Sequence, residues 1–360
     1  MNFATIQTHL PDSRVEPACA VFGSCGGCRY QDLPYEAELA LKQDQVRALF
    51  VEGLGLPEGI LEPITASPKE YGYRGNLDLT FIRTRKDGKH LLGFMKERSS
   101  RHIITIEDCP LADPRIAGFL PELKAAAAAK IPDSKRLANL VVRISDDGRL
   151  RWGGIGKRSL CLPAEEYLWT QICGKRIYYS LDTFFQANTA ILPLVRERLL
   201  AWADWDASKT VFYDLYAGVG LFGFMMADQA ARVVMIESVG PSMACARHTQ
   251  QTQGYANVEI REGRTEAEFP KLLADGIPED AIALVDPPRR GLSPEALKCL
   301  ADAADAGLKK LFYLSCGPEA LQRDLKELMK QGWVVQKIGA FDFFPKTKHI
   351  ETLVLLEKNP

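Results

Sequence analysis

Short apolar runs alternate with helical stretches from about residue 186 to the end of the chain. Each run is six to eight residues long, which is typical of strands buried in a sheet. The runs cover residues 210–215, 232–237, 281–286, 309–316 and 350–357. This alternation predicts an α/β fold in which a doubly wound, mostly parallel sheet carries helices on both faces.

The first half of the chain has a different pattern. Short β-like runs and turns dominate it, for example at residues 77–82, 91–95 and 140–144. An alanine-rich helix near residues 120–130 interrupts them. The pattern predicts a mixed, mostly antiparallel β domain.

We therefore predict two domains, an N-terminal and central one over residues 1–185 and a C-terminal one over residues 186–360. An amphipathic helix is expected over residues 35–51, with apolar side chains that include Val46 and Phe50. The sequence leaves open which of the two domains this helix packs on.

Composition indicates the size of the domains, the charge of the protein and the cell compartment it suits. Its 360 residues, 46% of them apolar, can form two domains with sizeable cores, and the net charge of −1 requires any nucleic-acid surface to be local. Residues 1–10 lack a basic start followed by an apolar run, and no stretch is apolar enough to span a bilayer. We expect no signal peptide and no membrane partner. Nine cysteines without a secretion signal indicate a reducing cytoplasm.

A glycine-rich loop follows the first predicted strand of the C-terminal half. It contains the pattern G-x-G-x-x-G, formed by Gly218, Gly220 and Gly223, which alone is weak evidence for a dinucleotide site. Asp214 at the end of the strand could meet a bound ammonium group but would oppose a pyrophosphate. Glu237 ends the next strand, where a carboxylate can accept both ribose hydroxyls. These details favour S-adenosylmethionine, and a glycine turn that serves backbone packing is the alternative.

Cys316 lies at a predicted strand-to-helix turn. The strand covers residues 310–314, and the helix runs from Pro318 to Lys330 with its proline in the first turn. The partial positive charge at a helix N-terminus stabilises a thiolate, which is the nucleophilic form of cysteine. The alternative is a small buried apolar residue.

Several acidic side chains are expected beside this cysteine. Asp286 ends a predicted strand before Pro287, and ligands of open α/β sheets bind outside the carboxyl ends of the strands. Glu351 starts the last strand, so it reaches the same edge if that strand is antiparallel. A thiol, two carboxylates and a methyl donor suit one reaction: the thiolate adds to C6 of a pyrimidine, C5 takes the methyl group, a base removes the C5 proton and the thiolate leaves.

These motifs resemble the RNA 5-methyluridine (uracil-C5) methyltransferase family over nearly the whole chain and in the family's order. The resemblance rests on Phe184-Phe185-Gln186-Ala187-Asn188, on Asp214 through Gly220, on Asp286-Pro287-Pro288-Arg289, on Ser315-Cys316-Gly317-Pro318 and on Phe344-Pro345 through Glu351. It implies a Rossmann-like S-adenosylmethionine-dependent methyltransferase domain at the C-terminus.

The resemblance also implies roles for single residues. Cys316 becomes the nucleophile, Glu351 the base, and Asp286 a partner of the uracil edge. Cofactor or substrate contacts are implied at Gln186, Tyr216, Leu221, Glu237, Arg264 and Asp286. Leu221 and Arg264 stand where the family usually has a small polar or acidic side chain, and Gly317 stands where asparagine is usual.

Four cysteines are candidate metal ligands. Cys19, Cys25 and Cys28 lie on a glycine-rich loop, and Cys109 precedes Pro110 far downstream. Four thiolates could hold zinc or a [4Fe–4S] cluster, and their spacing does not decide between them. Resemblance to the iron–sulfur branch of the family implies the cluster, with a structural role. The remaining scattered cysteines, Cys161, Cys173, Cys245 and Cys299, are expected in the core.

Basic residues gather between Lys69 and Arg101, with Tyr71, Tyr73 and Phe94 interleaved. Such a surface suits looped RNA, and a solvated face is the alternative. The target uridine must flip out of its stack to reach Cys316. A phosphate-holding rim is expected from Arg289, Arg290, Lys346 and Lys348.

The resemblance to the short iron–sulfur branch implies 23S ribosomal RNA as the substrate, with transfer RNA as the alternative. Few residues precede Cys19, so we expect the chain to lack the N-terminal β-barrel module of longer family members. We further expect a monomer that does not act on DNA.

Three other functions fit parts of the sequence. An amino-group methyltransferase would use the loop after Asp286, but it needs no thiol and usually has an aromatic residue where this chain has Arg289. A dinucleotide oxidoreductase leaves Asp214 without a role. A catalytically inactive RNA-binding protein is hard to reconcile with the presence of both Cys316 and Glu351.

Overall fold

The structure is a computed structural model that describes residues 13–96, 102–132, 134–274 and 276–358. Its strands are β1 (Leu61–Thr65), β2 (Asn76–Arg83), β3 (His90–Met95), β4 (Ile103–Thr105), β5 (Leu137–Ile144), β6 (Leu150–Gly153), β7 (Leu168–Ile172), β8 (Lys175–Tyr179), β9 (Val211–Asp214), β10 (Arg232–Glu237), β11 (Val258–Glu262), β12 (Ala281–Val285), β13 (Lys310–Ser315), β14 (Trp333–Phe341) and β15 (Glu351–Lys358). Its α-helices are α1 (Tyr35–Arg47), α2 (Pro114–Lys130), α3 (Leu192–Trp202), α4 (Leu221–Met225), α5 (Gly240–Gln253), α6 (Thr265–Leu273), α7 (Pro294–Asp305) and α8 (Pro318–Lys330).

The larger sheet has the strand order β1-β14-β15-β13-β12-β9-β10-β11 within the described residues. Strands β9 to β13 run parallel to one another, whereas β15 runs antiparallel to both β13 and β14. Successive residues of the central strands alternate between two apolar cores, one on each face of the sheet. Helices α3, α4 and α5 cover one face, and α6, α7 and α8 cover the other. The predicted mostly parallel α/β sheet is confirmed.

Three strands of this sheet, β1, β11 and β14, were not predicted from the sequence. Strand β14 is a nine-residue strand that fills the gap between α8 and the loop before β15. Strand β1 lies in the first half of the chain, yet it pairs in parallel with β14 at the edge of the large sheet. The start of the chain therefore contributes to the same sheet as the end.

The predicted N-terminal helix forms as α1 and a π-helical turn over Ala48–Glu52. Val46, Leu49 and Phe50 are buried in the core that α6, α7 and α8 share, so this helix packs on the large sheet. These contacts decide which part of the protein the helix packs on, which the sequence had left open. The proposed boundary at residue 185 stays a prediction.

A separate antiparallel sheet has the order β4-β3-β2-β5-β6, and α2 packs on one of its faces around a third apolar core. Strands β7 and β8 form an antiparallel pair of their own. Helix α2 starts as capping rules predict, since Asp113 accepts a hydrogen bond of 2.9 Å from the N–H of Arg115 and Pro114 takes the first helical position. The expected mixed, mostly antiparallel region is confirmed. In the described part of the chain no helix is both long and apolar enough to cross a membrane.

Candidate active site

A cavity of about 1480 Å³ opens at the carboxyl edge of the large sheet. Loops after β9, β10, β12 and β13 line it, together with the start of β15 and residues 184–186. Ligand pockets for one small molecule measure about 300–1,000 Å³, so this cavity has room for more than one ligand. Of the residues predicted from the sequence, the cavity brings together Gln186, Tyr216, Gly218, Leu221, Glu237, Arg264, Asp286, Cys316 and Glu351. Asp214 and Gly220 do not line it.

Cys316 sits at the turn between β13 and α8, as predicted. The N–H of Gly317 donates a hydrogen bond of 3.1 Å to Oγ of Ser315, which closes the turn. A Cβ atom on Gly317 would overlap the carbonyl oxygen of Arg289. The glycine that replaces the family's usual asparagine thus lets the loop after β12 approach the cysteine directly.

The thiol of Cys316 is not pre-ionised. Burial, then Glu351 and Asp286, raise its pKa to about 11 against the lowering effect of Arg289. The raised pKa runs against the expectation that the helix N-terminus would favour the thiolate. Loss of solvent and two nearby carboxyl groups outweigh the partial charge of one helix end.

Glu351 and Asp286 face the same space from two strand ends. Glu351 is 4% exposed, and burial together with Asp286 raises its pKa well above the usual range, while Arg289 lowers it. Asp286 is half-buried, and burial and Asp214 raise its pKa to about 7. The guanidinium of Arg289 is the group that favours the ionised forms of both Cys316 and Glu351.

The glycine loop after β9 forms the other side of the cavity. Gly218 has φ +55° and Gly220 has φ +85°, a left-handed region that favours glycine. A Cβ atom on Gly220 would lie 2.6 Å from the Phe224 ring, so the loop needs glycine there for packing. Glu237 accepts hydrogen bonds from the N–H groups of Gly218, Ser238 and Val239 at 2.7–2.9 Å. The carboxylate therefore fixes the loop as well as facing the cavity.

Asp214 lies behind this loop. It is fully buried, its Oδ2 accepts a hydrogen bond of 2.8 Å from the N–H of Gly223, and its Oδ1 has no partner. Burial raises its pKa to about 7. Asp214 does not line the cavity, and its expected contact with a ligand's ammonium group stays a prediction.

The remaining predicted residues differ in exposure. Gln186 and Leu221 are buried, Tyr216 is half-buried, and Arg264 is exposed with its Nε 3.6 Å from Glu266.

Phe184, Phe344 and His349 belong to the motifs named above, but no role was predicted for them. All three line the cavity. The side chain of Phe184 is 70% exposed, which is unusual for a phenylalanine. Burial, then Arg289 and Lys348, lower the pKa of His349 to about 4, so this ring is neutral at physiological pH.

Residues 164–359 match the model of the tRNA (uracil-5-)-methyltransferase family. This stretch contains the cavity residues from Gln186 to Glu351. The chain belongs to this family. It is an S-adenosylmethionine-dependent RNA uracil-5 methyltransferase, and the oxidoreductase and amino-group alternatives no longer hold.

The relatives of this methyltransferase span almost its full length. An uncharacterized RNA methyltransferase of Caldanaerobacter subterraneus is 30% identical, with 96% of this chain and 85% of the relative covered. The 23S rRNA (uracil(1939)-C(5))-methyltransferase RlmD of Vibrio parahaemolyticus is 28% identical, with 97% and 83% covered. The crystal structure of tRNA (uracil-54, C5)-methyltransferase from Pyrococcus abyssi has the same fold, with a TM-score of 0.68 over 93% of this chain and 86% of that one at 20% identity.

The loop over residues 342–349 brings Phe344 and His349 into the methyltransferase's cavity and leads into Glu351. A fully buried ion-pair cluster holds it. Nζ of Lys42 lies 2.7 Å from both Glu38 and Asp342, and it also donates to the carbonyl oxygen of Phe344 at 3.3 Å. Buried ion pairs of this kind fix geometry more than they add stability.

Lys346 belongs to the same cluster. It is 2% exposed, and its Nζ lies 3.0 Å from Glu70 and 3.6 Å from Glu38. Its carbonyl oxygen accepts hydrogen bonds from the N–H groups of Arg29 and Tyr30 at 2.8 and 3.0 Å. The prediction that Lys346 holds phosphates at the rim is wrong, because the side chain is paired inside the protein. Arg289, Arg290 and Lys348 are exposed, as that prediction requires.

The basic run between residues 69 and 101 is only in part a surface. Tyr73 is buried and donates a hydrogen bond of 3.0 Å to the carbonyl oxygen of Pro345, so it is no stacking ring. The guanidinium of Arg74 lies over the ring of Phe344, 5.4 Å from its centroid. Exposed basic side chains remain at the turn between β2 and β3, at Arg85, Lys86 and Lys89. Arg98 and Arg101 lie outside the described residues.

The four predicted ligand cysteines lie close enough to influence one another. Burial and the neighbouring Cys109, Cys25 and Cys19 raise the pKa of Cys28 to about 12 against the lowering effect of the hydrogen bond from Gln31. Nε2 of Gln31 donates to the sulfur of Cys28 at 3.1 Å, and the N–H of Cys19 donates to Oε1 of the same glutamine at 3.0 Å.

Backbone N–H groups also point at these sulfurs. Gly27 donates to Cys25, and Leu111 and Ala112 donate to Cys109. Among the residues that the structure describes, no group of three or more His, Cys, Asp or Glu side chains is arranged to hold a metal ion.

Proposed function

We propose that this methyltransferase transfers the methyl group to C5 of one uridine in RNA through a covalent bond between Sγ of Cys316 and C6 of the uracil. One observation carries the proposal. A thiol, a buried carboxyl group and a guanidinium meet in a single cavity, where Arg289 influences both Cys316 and Glu351. Methyl transfer to C5 of a pyrimidine needs a nucleophile that adds to C6 and a base that removes the C5 proton, and the family match points to uracil as that pyrimidine.

The reaction begins at Cys316. Its thiol loses a proton, which Arg289 favours, and the thiolate attacks C6 of the uracil. The electron pair of the C5–C6 double bond moves toward C5 and O4. When bound, S-adenosylmethionine supplies an electrophilic methyl group, to which C5 then forms its new bond.

Glu351 completes the cycle. Its ionised carboxylate takes the proton from C5, the C5–C6 double bond forms again, and Sγ leaves C6 with its electron pair. The products are 5-methyluridine, S-adenosylhomocysteine and one proton. The raised pKa of Glu351 suits this step, because a carboxylate of higher pKa is a stronger base.

Further residues bind the two substrates. Asp286 hydrogen-bonds the uracil edge, and with a pKa of about 7 it can accept from N3–H or donate to a carbonyl oxygen. Tyr216, Gly218, Leu221 and Glu237 contact the methyl donor, with Gln186 and Arg264 also at cofactor or substrate positions. Asp214 and Gly220 shape the donor loop from behind.

We propose 23S ribosomal RNA as the substrate. This proposal is supported by the relative from Vibrio parahaemolyticus, which is named as a 23S rRNA methyltransferase. The alternative substrate is transfer RNA, because the matching family is named for it. Cys316 is half-buried inside the cavity, so a base stacked in a duplex cannot reach it. The target uridine therefore flips out of its stack before the thiolate attacks.

We also propose that Cys19, Cys25, Cys28 and Cys109 hold a [4Fe–4S] cluster. The fit rests on four mutually coupled thiols and on the N–H groups that point at their sulfurs, a surrounding typical of iron–sulfur centres. The bound cluster would supply a cross-link between the N-terminal loop and the segment around Cys109.

The experiment that tests the function uses protein purified without oxygen. It is incubated with labelled S-adenosylmethionine and with unmodified ribosomal or transfer RNA, and the digested nucleosides are analysed for 5-methyluridine. Label as 5-methyluridine in ribosomal RNA supports the whole proposal. Label in transfer RNA keeps the chemistry and overturns the substrate, and no 5-methyluridine in either RNA overturns the role of Cys316.

An inactive RNA-binding protein is the remaining alternative. Incubation with RNA that contains 5-fluorouracil separates the two, because fluorine at C5 cannot leave as a proton and the adduct with Cys316 persists. Binding of this RNA without a covalent adduct, judged by mass spectrometry, would favour the inactive protein.

A further inference from the structure

The loop over residues 287–292 carries Arg289 from the end of β12 to the cysteine. Pro287 and Pro288 have no backbone N–H, so the first part of this loop cannot donate hydrogen bonds to its surroundings. A turn follows, in which the N–H of Gly291 donates to the carbonyl oxygen of Pro288 at 2.8 Å. The place of Arg289 therefore depends on what holds the far end of the loop.

Asp324 on α8 holds that end. It is fully buried, and its Oδ2 accepts hydrogen bonds of 2.7 Å from the N–H of Leu292 and from the hydroxyl of Tyr313. Leu292 ends the loop, and Tyr313 lies on β13 three residues before Cys316. One carboxylate thus joins the loop, the strand of the nucleophile and the helix that follows the nucleophile.

Arg323 adds a second contact to the same loop. Its guanidinium donates to Oδ1 of Asp324 at 2.7–3.0 Å and to the carbonyl oxygen of Arg290 at 2.7 Å. Gly291 has φ +78°, and a Cβ atom there would overlap Oδ2 of Asp324. The loop is packed against this pair so closely that only glycine fits between them.

Helix α8 is a firm base for this contact. Leu321, Leu325 and Leu328 are buried in the core, on the face of the sheet opposite α4. The helix begins two residues after Cys316, so the nucleophile and the loop are both attached to the same rigid element. The guanidinium of Arg289 then lies within hydrogen-bonding reach of the thiol.

We propose that Asp324 is a positioning residue, which places the Arg289 guanidinium at the Cys316 thiol by anchoring the loop over residues 287–292. It touches neither substrate nor methyl donor, since it does not line the cavity. The inference rests on the proposed function, in which Cys316 is the nucleophile. A displacement of about 1 Å in such a site can cost on the order of 10²-fold in rate.

A double-mutant cycle tests this role, with the full chain and an RNA on which the wild type produces 5-methyluridine. The single variants are Asp324→Asn and Arg289→Met, and the third variant combines them. An amide keeps the volume of the carboxylate but has one acceptor oxygen and no charge, so it cannot hold the loop and Arg323 together. The kcat and KM for methyl transfer are measured for all four proteins.

We expect Asp324→Asn to lower kcat about 10²-fold in the wild-type background and less than about threefold in the Arg289→Met background, with KM for S-adenosylmethionine within about twofold. Residues that act through one another show this non-additivity, whereas a general loss of structure lowers kcat by the same factor in both backgrounds. Equal losses in both backgrounds, or an unchanged kcat for folded Asp324→Asn, would overturn the proposal.

Two further variants secure the outcome. Tyr313→Phe removes one hydrogen-bond donor from Oδ2 of Asp324 without changing the backbone. If Asp324→Asn does not fold, Tyr313→Phe replaces it in the double-mutant cycle with Arg289→Met. Full additivity of these two substitutions would overturn the proposal. Asp302→Asn on α7 is the matched control, because Asp302 is exposed and its carboxylate lies 2.9 Å from Lys298 on its own helix. Absence of 5-methyluridine with the wild type would instead mean that the proposed function has failed.

Discussion

Ser315 pairs with Thr352 across the antiparallel strands β13 and β15. The residue after Ser315 is Cys316, and the residue before Thr352 is Glu351, so one register places the nucleophile and the base at the same edge. Because the side chains of a strand alternate between its faces, a slip of one residue would turn Glu351 away from the cavity. The proposed chemistry therefore depends on the antiparallel strand that ends the chain.

Replacing Cys316 by alanine should abolish 5-methyluridine formation, with a loss of roughly 10³-fold or more, because the proposed mechanism needs its thiol to form the bond to C6. Binding of S-adenosylhomocysteine, measured by calorimetry, should remain. Cys161→Ser is the matched control and should keep full activity, since Cys161 lies outside the cavity and is exposed, contrary to its predicted place in the core. Retained methyl transfer by Cys316→Ala would exclude the covalent mechanism.

Replacing Glu351 by glutamine should allow addition and methyl transfer but stop the release of the product. An amide cannot take the C5 proton, so the methylated RNA should stay bonded to Cys316. A covalent protein–RNA band in a denaturing gel, absent from the double variant with Cys316→Ala, is the expected result. Normal turnover by Glu351→Gln would show that another group is the base.

The stability of the protein should respond to the ionisation of Asp214. Its pKa is raised from 3.8 to about 7, so the folded chain holds this proton more tightly than the unfolded chain does. The contribution of Asp214 to the free energy of unfolding is fully favourable below pH 3.8 and is lost as the pH rises to about 7.

Asp214→Asn should remove this loss, because the amide oxygen can still accept from Gly223. Relative to the wild type, its free energy of unfolding should increase between pH 4 and pH 8 by about 2–4 kcal/mol, the order set by a shift of this size. Urea unfolding at both pH values gives the difference. A difference that does not change with pH would contradict the assignment.

Replacing Gly317 by alanine should lower activity, because the new Cβ atom would overlap the carbonyl oxygen of Arg289 and push the loop away from Cys316. We expect a loss of about 10-fold or more in kcat. Gly118→Ala in α2 is the control, since a Cβ there meets open space and should raise stability by about 0.5–1 kcal/mol without a change in activity. Full activity of Gly317→Ala would show that the close approach is dispensable.

Protein purified without oxygen should contain about four iron and four sulfide ions per chain, if the cluster forms as proposed. Cys109→Ser should lower both contents and the visible absorbance, whereas Cys173→Ser should change neither. We also expect the loss of the cluster to slow adduct formation, since Cys28 directly precedes the N–H groups that bond to Lys346 in the loop before Glu351. Zinc in place of iron would contradict the cluster.

Local pattern alone predicted much of this protein. Helix α8 forms over Pro318–Lys330 as expected, and β10 and β13 agree with their predicted runs to within two residues. Apolar periodicity and turn residues act over a few positions, so they can be read directly from the chain. For the same reason the motifs placed Cys316 and Asp286 at strand ends, and the rule for parallel sheets brought them to one edge.

Tertiary structure decided what local pattern could not. Lys346 sits in a basic-looking stretch, but Glu38 and Glu70 from the start of the chain pair with it inside the protein. Cys316 stands at a helix N-terminus, but burial and two carboxyl groups from other strands keep its proton in place. Exposure and electrostatic environment come from residues that are distant in sequence, and only the packed fold brings them together.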